Sequence, residues 1–157
     1  LITNLIFIFY IAIFCGSFLM FSDFFHLKII IFTILLTCAA SDMGGFICGK
    51  IFKGPKLTKI SPNKTITGSL GSFVFSTGVL LFLINYLTNT IDLTIVIVGL
   101  MTSLGAQLGD LFFSYLKRKS NLKDTGNFLP GHGGILDRVD GILLGMPIGF
   151  LTLLLIY

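Results

Sequence analysis

Five apolar runs, each long enough to cross a bilayer, leave this chain few ways to fold. They cover about Leu1–Phe21, Leu27–Lys50, Ser69–Leu87, Asp92–Leu116 and Val139–Tyr157. A helix needs about 20 apolar residues to span the hydrocarbon core. No water reaches backbone N–H and C=O groups there, so a spanning segment must be a helix or a strand of a closed barrel. Barrel strands are about half as long and alternate in polarity, which these runs do not. The expectation is an all-α, polytopic membrane protein of about five transmembrane helices. Composition excludes the soluble alternative. Only 11% of the 157 residues are charged, against about 25% in soluble domains, so most of the surface must face lipid. The first run has no basic lead and no small-residue cleavage site, and reads as a retained span rather than a signal peptide. Cys15, Cys38 and Cys48 sit in or at the end of apolar runs, at a spacing that suits packing better than a metal or disulfide framework.

Charge sets the orientation. Ten of the eleven Lys and Arg fall in two loops, five in Lys50–Lys64 and five in Lys117–Arg138. Both basic loops are expected on the cytoplasmic side, with the amino terminus inside and the carboxyl terminus outside.

The second of these loops belongs to the most polar stretch of the chain, Ser114–Asp140. It holds Lys117, Arg118, Lys119, Lys123 and Arg138, with Asp124, Asp137, Asp140, His132 and four glycines. A polar loop of this length between packed helices is usually functional. Lys and Arg suit phosphates, glycines let backbone N–H groups close on phosphate oxygens, and paired Asp suit a hard cation such as Mg²⁺. Asp110 and Asp42 each end a long apolar or weakly polar run, and an ionisable group at membrane depth is a functional candidate. A helix end reaching the headgroups is the plainer account, and for Asp42 both readings stand. Asp110, Ser114 and Lys117 share a helical face at offsets of four and three. Asp137 and Asp140, three apart, would point the same way if the fifth helix already runs there. Acid near a helix N-terminus is also favoured by the dipole, but two such carboxylates beside Lys and Arg, with Asp110 from a neighbouring helix, fit a metal–phosphate site better.

The first basic loop ends in Ile60–Ser69, where Ser61, Asn63, Lys64, Thr65 and Thr67 offer donors before a helix starting near Thr67 or Gly68. This suits a phosphate-binding turn at a helix N-terminus, although it lacks the glycine spacing of a P-loop. Lys53, Lys56 and Lys59 read as attraction to anionic lipid, and Lys64 stands out. The ridges Gly141–Gly145–Gly149, Gly105–Gly109 and Gly68–Ser72–Ser76 read as close helix packing, and Pro147 is expected to kink the fifth helix. His132 offers a general base or a phosphate hydrogen bond.

Read in full, Ser114-x2-Lys117-Arg118-x4-Lys123-Asp124-x-Gly126-x2-Leu129-Pro130-Gly131-His132-Gly133-Gly134-x2-Asp137-Arg138-x-Asp140 resembles the signature of the phosphatidate cytidylyltransferases, or CDP-diacylglycerol synthases. Ser41-Asp42-x-Gly44 and Ser61-Pro62-Asn63-Lys64-Thr65 with Gly68 resemble two further segments of that family, as does Gly109-Asp110. The resemblance covers roughly residues 39–157. Thr67 and Phe113 stand where the family usually has Glu, and the chain has no Glu at all.

The resemblance implies one membrane-embedded cytidylyltransferase domain over residues 1–157, lacking further amino-terminal helices, in a bacterial inner membrane with its site facing the cytoplasm. It implies transfer of CMP from CTP to phosphatidic acid, with Mg²⁺ as cofactor. Asp110, Asp137 and Asp140, with Asp42 as a further candidate, would hold the metal. Lys123 and His132 would join the three Asp in catalysis. Ser61, Lys64, Ser114, Lys117, Arg118, Asp124, Gly133, Gly134 and Arg138 would bind substrate. Expected partners are CTP, phosphatidic acid, membrane lipid and a second copy of the chain, with no nucleic acid. The rival readings are a CTP-dependent polyprenol or phytol kinase, an inactive shortened copy, and a small membrane transporter.

Overall fold

The computed structural model describes residues 2–22, 25–58, 61, 64–120 and 136–156, with the backbone alone for 2–4, 21–22, 25–27 and 137–138. Among the described residues six helices follow in order: α1 Ile2–Ser22, α2 Phe25–Phe52, α3 Ile66–Thr88, α4 Leu93–Lys119, α5 Leu136–Val139 and α6 Ile142–Ile156. Three are long and apolar enough to cross a membrane, over Lys28–Phe52, Ile66–Thr88 and Leu93–Lys119. Shorter apolar helices cover Leu5–Met20 and Ile142–Ile156. The chain is thus an all-α, polytopic integral membrane protein, and its five apolar helices follow the five apolar runs.

Many large apolar side chains face outward while small hydroxyl side chains are buried, as expected when the solvent is lipid. Phe9, Met20, Phe46, Val74, Phe82 and Leu155 are exposed, whereas Thr37, Ser41, Ser76, Thr102 and Ser103 are fully buried. Small residues let helix backbones approach where no hydrophobic force draws helices together. A Cβ placed on Gly105 of α4 would lie 3.0 Å from the Cα of Gly145 on α6. One placed on Gly68 of α3 would lie 2.7 Å from the carbonyl oxygen of Gly45 on α2. The glycine ridges therefore serve packing, as their spacing suggests. The largest apolar cluster joins Ile31, Ile34 and Cys38 of α2 to Ala106 of α4 and Met146 and Phe150 of α6. Cys38 is fully buried and all three cysteines are free thiols.

Two helix boundaries differ from expectation, both for local hydrogen-bonding reasons. α3 starts at Ile66, because Thr65 is its N-cap and accepts the Gly68 N–H at 3.1 Å. A side-chain oxygen at this position satisfies a donor that the first turn leaves orphaned. The fifth membrane helix does not begin at Val139. The single turn α5 ends there, Asp140 and Gly141 form a turn, and α6 starts at Ile142. The Asp140 carboxylate accepts the Gly141 N–H at 2.9 Å, a local bond that competes with continuing the helix. The expectation that Asp137 and Asp140 point the same way falls on Asp137, whose side chain lies outside the described residues. Pro147 lies inside α6 and is buried.

Candidate functional site

The α2–α3 connection folds back on the start of α3 and presents Lys64. Leu57 N–H donates to the Lys64 carbonyl at 2.8 Å and Ile66 N–H to the Pro55 carbonyl at 3.0 Å. Lys56 and Thr65 form an antiparallel bridge, and Gly54 N–H donates to the Thr67 hydroxyl at 3.2 Å. From this braced position the Lys64 ammonium forms an ion pair with Asp110 of α4. The two side chains are 24% and 29% exposed, so the pair is neither dry nor fully solvated. Asp110 lies about two turns before the basic cluster of Lys117, Arg118 and Lys119 that ends α4.

A cavity of about 310 Å³ opens here. Asp42, Ser61, Lys64, Thr65, Ser69, Gln107 and Asp110 supply its polar wall, and Phe46 and Leu57 are among its apolar lining. A larger cavity of about 510 Å³ lies elsewhere, lined by residues such as Ile29, Ile84, Leu87 and Leu153 and by three threonines. None of the described residues lining that second cavity is charged, which makes it unsuited to phosphates.

Asp140 approaches the same region from the turn before α6. The Tyr10 hydroxyl of α1 donates to the Asp140 carbonyl at 3.0 Å and so holds this turn in place. The Asp140 carboxyl is pushed up to about 7, first by burial and next by the charge of Asp110; the Gly141 N–H and Lys117 work in the opposite direction. Asp42 also acts on Asp140 through its charge. A Cβ on Gly141 would lie 3.6 Å from the Asp42 carboxylate. Three Asp, on α2, α4 and the turn before α6, are therefore within electrostatic reach of one another, with Lys64 and Lys117 as countercharges.

Other expected site residues take varied places. Ser61 lines the cavity. Ser114 is half-buried on α4, and Arg118 is exposed. The Lys117 ammonium sits 5.3 Å from the centre of the Phe113 ring. Asp137 and Arg138 lie in α5, where the backbone alone is described. Lys123, Asp124, His132, Gly133 and Gly134 lie outside the described residues.

Four residues join the site that the sequence reading passed over or assigned to packing. Gln107 lines the cavity and shares hydrogen bonds with Ser69, whose hydroxyl donates to its amide oxygen. Its signal was the offset of three from Asp110, which places both on one helical face. Ser72 donates to the Ser41 carbonyl at 2.7 Å. Tyr10 is the one phenol in the first run.

Among the described residues no three His, Cys, Asp or Glu groups converge closely enough to form a metal cage. Mg²⁺ does not require one: it keeps several waters and is commonly bound through one or two carboxylates plus substrate phosphates. The donors present are all hard carboxylate oxygens, which fit that ion.

The fold and site define an integral membrane protein of packed helices with an acid- and lysine-lined polar cavity at one end of the bundle. Comparison with known proteins places it further. The chain belongs to the cytidylyltransferase family, whose sequence profile matches residues 1–156. It is 44% identical over 118 residues to the phosphatidate cytidylyltransferase of Rickettsia felis, covering 69% of this chain and 52% of that protein. It is 40% identical over 112 residues to the Helicobacter pylori (strain J99) protein of the same name, covering 71% and 42%. The Mycobacterium leprae protein of that name is 35% identical over 127 residues, covering 80% and 41%. The chain spans about half the length of the relatives it matches.

Proposed function

We propose that this chain carries the catalytic part of a phosphatidate cytidylyltransferase, which transfers CMP from CTP to phosphatidic acid and yields CDP-diacylglycerol and pyrophosphate. The observation that carries the reading is the Lys64–Asp110 pair in the wall of a polar cavity, with Asp42 in the same wall and Asp140 within reach. Membership in the cytidylyltransferase family supports the cytidylyl-transfer reading.

In the proposed reaction a phosphate oxygen of phosphatidic acid attacks the α-phosphorus of CTP. The bond to the pyrophosphate oxygen breaks, and the electron pair leaves with pyrophosphate. Two anions must meet, so catalysis rests on positioning and on charges set in advance. Lys64 and Lys117 would draw the phosphates in, with Arg118, Lys123 and Arg138 as further candidates. Asp42, Asp110, Asp137 and Asp140 would hold Mg²⁺, which when bound supplies positive charge to the phosphate oxygens. Ser61 and Ser114 offer hydroxyls, and Asp124, His132, Gly133 and Gly134 keep the substrate-contacting roles that the motif suggests. The diacyl tails would stay in lipid while the head group occupies the cavity. The site would face the cytoplasm of a bacterial inner membrane, in keeping with the two basic loops and with the supply of CTP. A second copy of the chain is a proposed partner as well.

The test is a transfer assay on the purified chain with phosphatidic acid, Mg²⁺ and CTP labelled in the cytidine. Label should enter the lipid fraction with the parent chain. Losing one charge from the pair, by Lys64→Met or Asp110→Asn, should reduce transfer by about 100-fold or more, as for other electrostatic groups aimed at developing charge. Transfer of a γ-phosphoryl group in place of CMP would identify a lipid kinase and overturn the reading.

A further inference from the structure

Gln107 is an odd residue to find facing inward on a membrane helix. A leucine would fill the same space without an amide to satisfy, and unsatisfied polar groups in lipid are costly. Its amide is nevertheless well occupied. The oxygen accepts from the Ser69 hydroxyl, and the nitrogen donates back to the Ser69 carbonyl at 3.4 Å. The same nitrogen donates to the Ser103 hydroxyl at 3.3 Å, which in turn pairs with the Ser41 hydroxyl of α2 at 2.8 Å. Each end of this chain of bonds leads to a charged group of the site. Ser41 precedes Asp42. Ser69 N–H donates to the carbonyl of Thr65 at 3.0 Å, and Thr65 follows Lys64. Gln107 itself is three residues from Asp110 on α4.

Two bonds to one residue, a hydroxyl and a carbonyl, fix the rotation of the first turn of α3 as well as its distance. We infer that Gln107 is a positioning residue: its amide locks the first turn of α3 to α4 and thereby sets Lys64 opposite Asp110. This inference rests on the proposed cytidylyl-transfer reading for its kinetic consequences and on the coordinates alone for its structural ones.

Gln107→Met keeps the length and volume and removes both kinds of hydrogen bond. Steady-state kinetics of CMP transfer should show kcat lowered about 10-fold or more, with KM for CTP within about 3-fold of the parent, because misplacement of a charge-bearing group costs rate more than ground-state binding. If Gln107 acts through Lys64, the losses are not additive: in a Lys64→Met background, Gln107→Met should cost less than about 2-fold more. Ser69→Ala should lower kcat in the same direction. Parental kcat in Gln107→Met, or fully additive losses in the double variant, would overturn the inference.

A second measurement does not depend on turnover. The coupling between Lys64 and Asp110 is read from thermal unfolding in detergent of Lys64→Met, Asp110→Asn and the double variant. That cycle is then repeated in the Gln107→Met background, where the coupling should fall by about half or more. An unchanged coupling overturns the inference even if the parent transfers CMP. A reduced coupling supports it even if no CMP transfer is found, in which case the functional reading alone falls.

Discussion

Adding one methyl group at Gly109 should separate the acids of the site. A Cβ there would lie 2.8 Å from the Asp140 carbonyl oxygen, 3.0 Å from Leu144 Cβ and 3.2 Å from the Tyr10 hydroxyl. Two of these three are the partners of the hydrogen bond that anchors the turn before α6. The oxygen cannot yield by rotating a side chain, so α4 and that turn must part by about half an ångström to restore ordinary contact. Overpacking of this kind costs about 1–3 kcal/mol, and loss of the Tyr10 bond adds about 1 kcal/mol. Gly78 on α3 supplies the control, because a Cβ there meets nothing within 4 Å. Gly78→Ala should stabilise by about 0.5–1 kcal/mol through helix propensity alone. The two alanine variants are therefore expected to move in opposite directions in thermal unfolding followed by helical circular dichroism in detergent. Because Asp110 follows Gly109 directly, CMP transfer should fall by about 10-fold to 100-fold in Gly109→Ala, the scale set by small misplacements of reacting groups. If Gly109→Ala matched Gly78→Ala in both midpoint and activity, the close approach of α4 to the Asp140 turn could not be what holds the acids together.

Three further outcomes are expected. Thr65→Ala should destabilise by about 1 kcal/mol by removing the α3 cap, while Thr65→Ser should restore the loss; equal midpoints for Ala and Ser would contradict the capping role. Lys53 has φ 44°, in the left-handed region, so Lys53→Gly should raise the unfolding midpoint by relieving about 1 kcal/mol of backbone strain, and a lowered midpoint would show that its side chain matters more. The Asp140 carboxyl is pushed up to about 7 from an ordinary 3.8, so the folded chain keeps a proton that the unfolded chain loses between those values. Stability from this group is then full below about 4 and lost as pH rises through about 7. Asp140→Asn, measured in EDTA, should gain the most stability over the parent at pH 8 and less than half as much at pH 5; a gap that does not change with pH would refute the assignment.

How much of this was legible beforehand depends on the range of the interactions involved. Periodicity and length located α2, α3 and α4, since a spanning helix needs only local backbone bonds and an apolar exterior. Asp42 and Asp110, which line one cavity, stand out in the sequence for the same reason, against lipid-compatible neighbours, although for Asp42 a plain helix end read equally well. The break at Asp140–Gly141 was missed because helical spacing of Asp137 and Asp140 looks identical until the Asp140 side chain takes the Gly141 N–H. Thr65 was recognised as a donor but not as the cap, since Thr67 offers the same hydroxyl two residues on. The spacing of Gln107 from Asp110 shows its helical face but not its partner, and Tyr10 carries no spacing signal. Their partners, Ser69 and the Asp140 carbonyl, are 38 and 130 residues away in the chain.

The buried hydroxyls have a consequence for how the helices mate. Glycine faces set how closely the helices approach, but bare backbone contacts carry no polar pairing of their own. Hydrogen bonds among Ser41, Ser69, Ser72, Ser103 and Gln107 do have direction. Slipping α4 by one residue would turn its face by about 100° and strand several of these dipoles in hydrocarbon at once. The polar side chains thus act as a vernier scale, adding directional registration to the alignment of three helices that the close glycine contacts set.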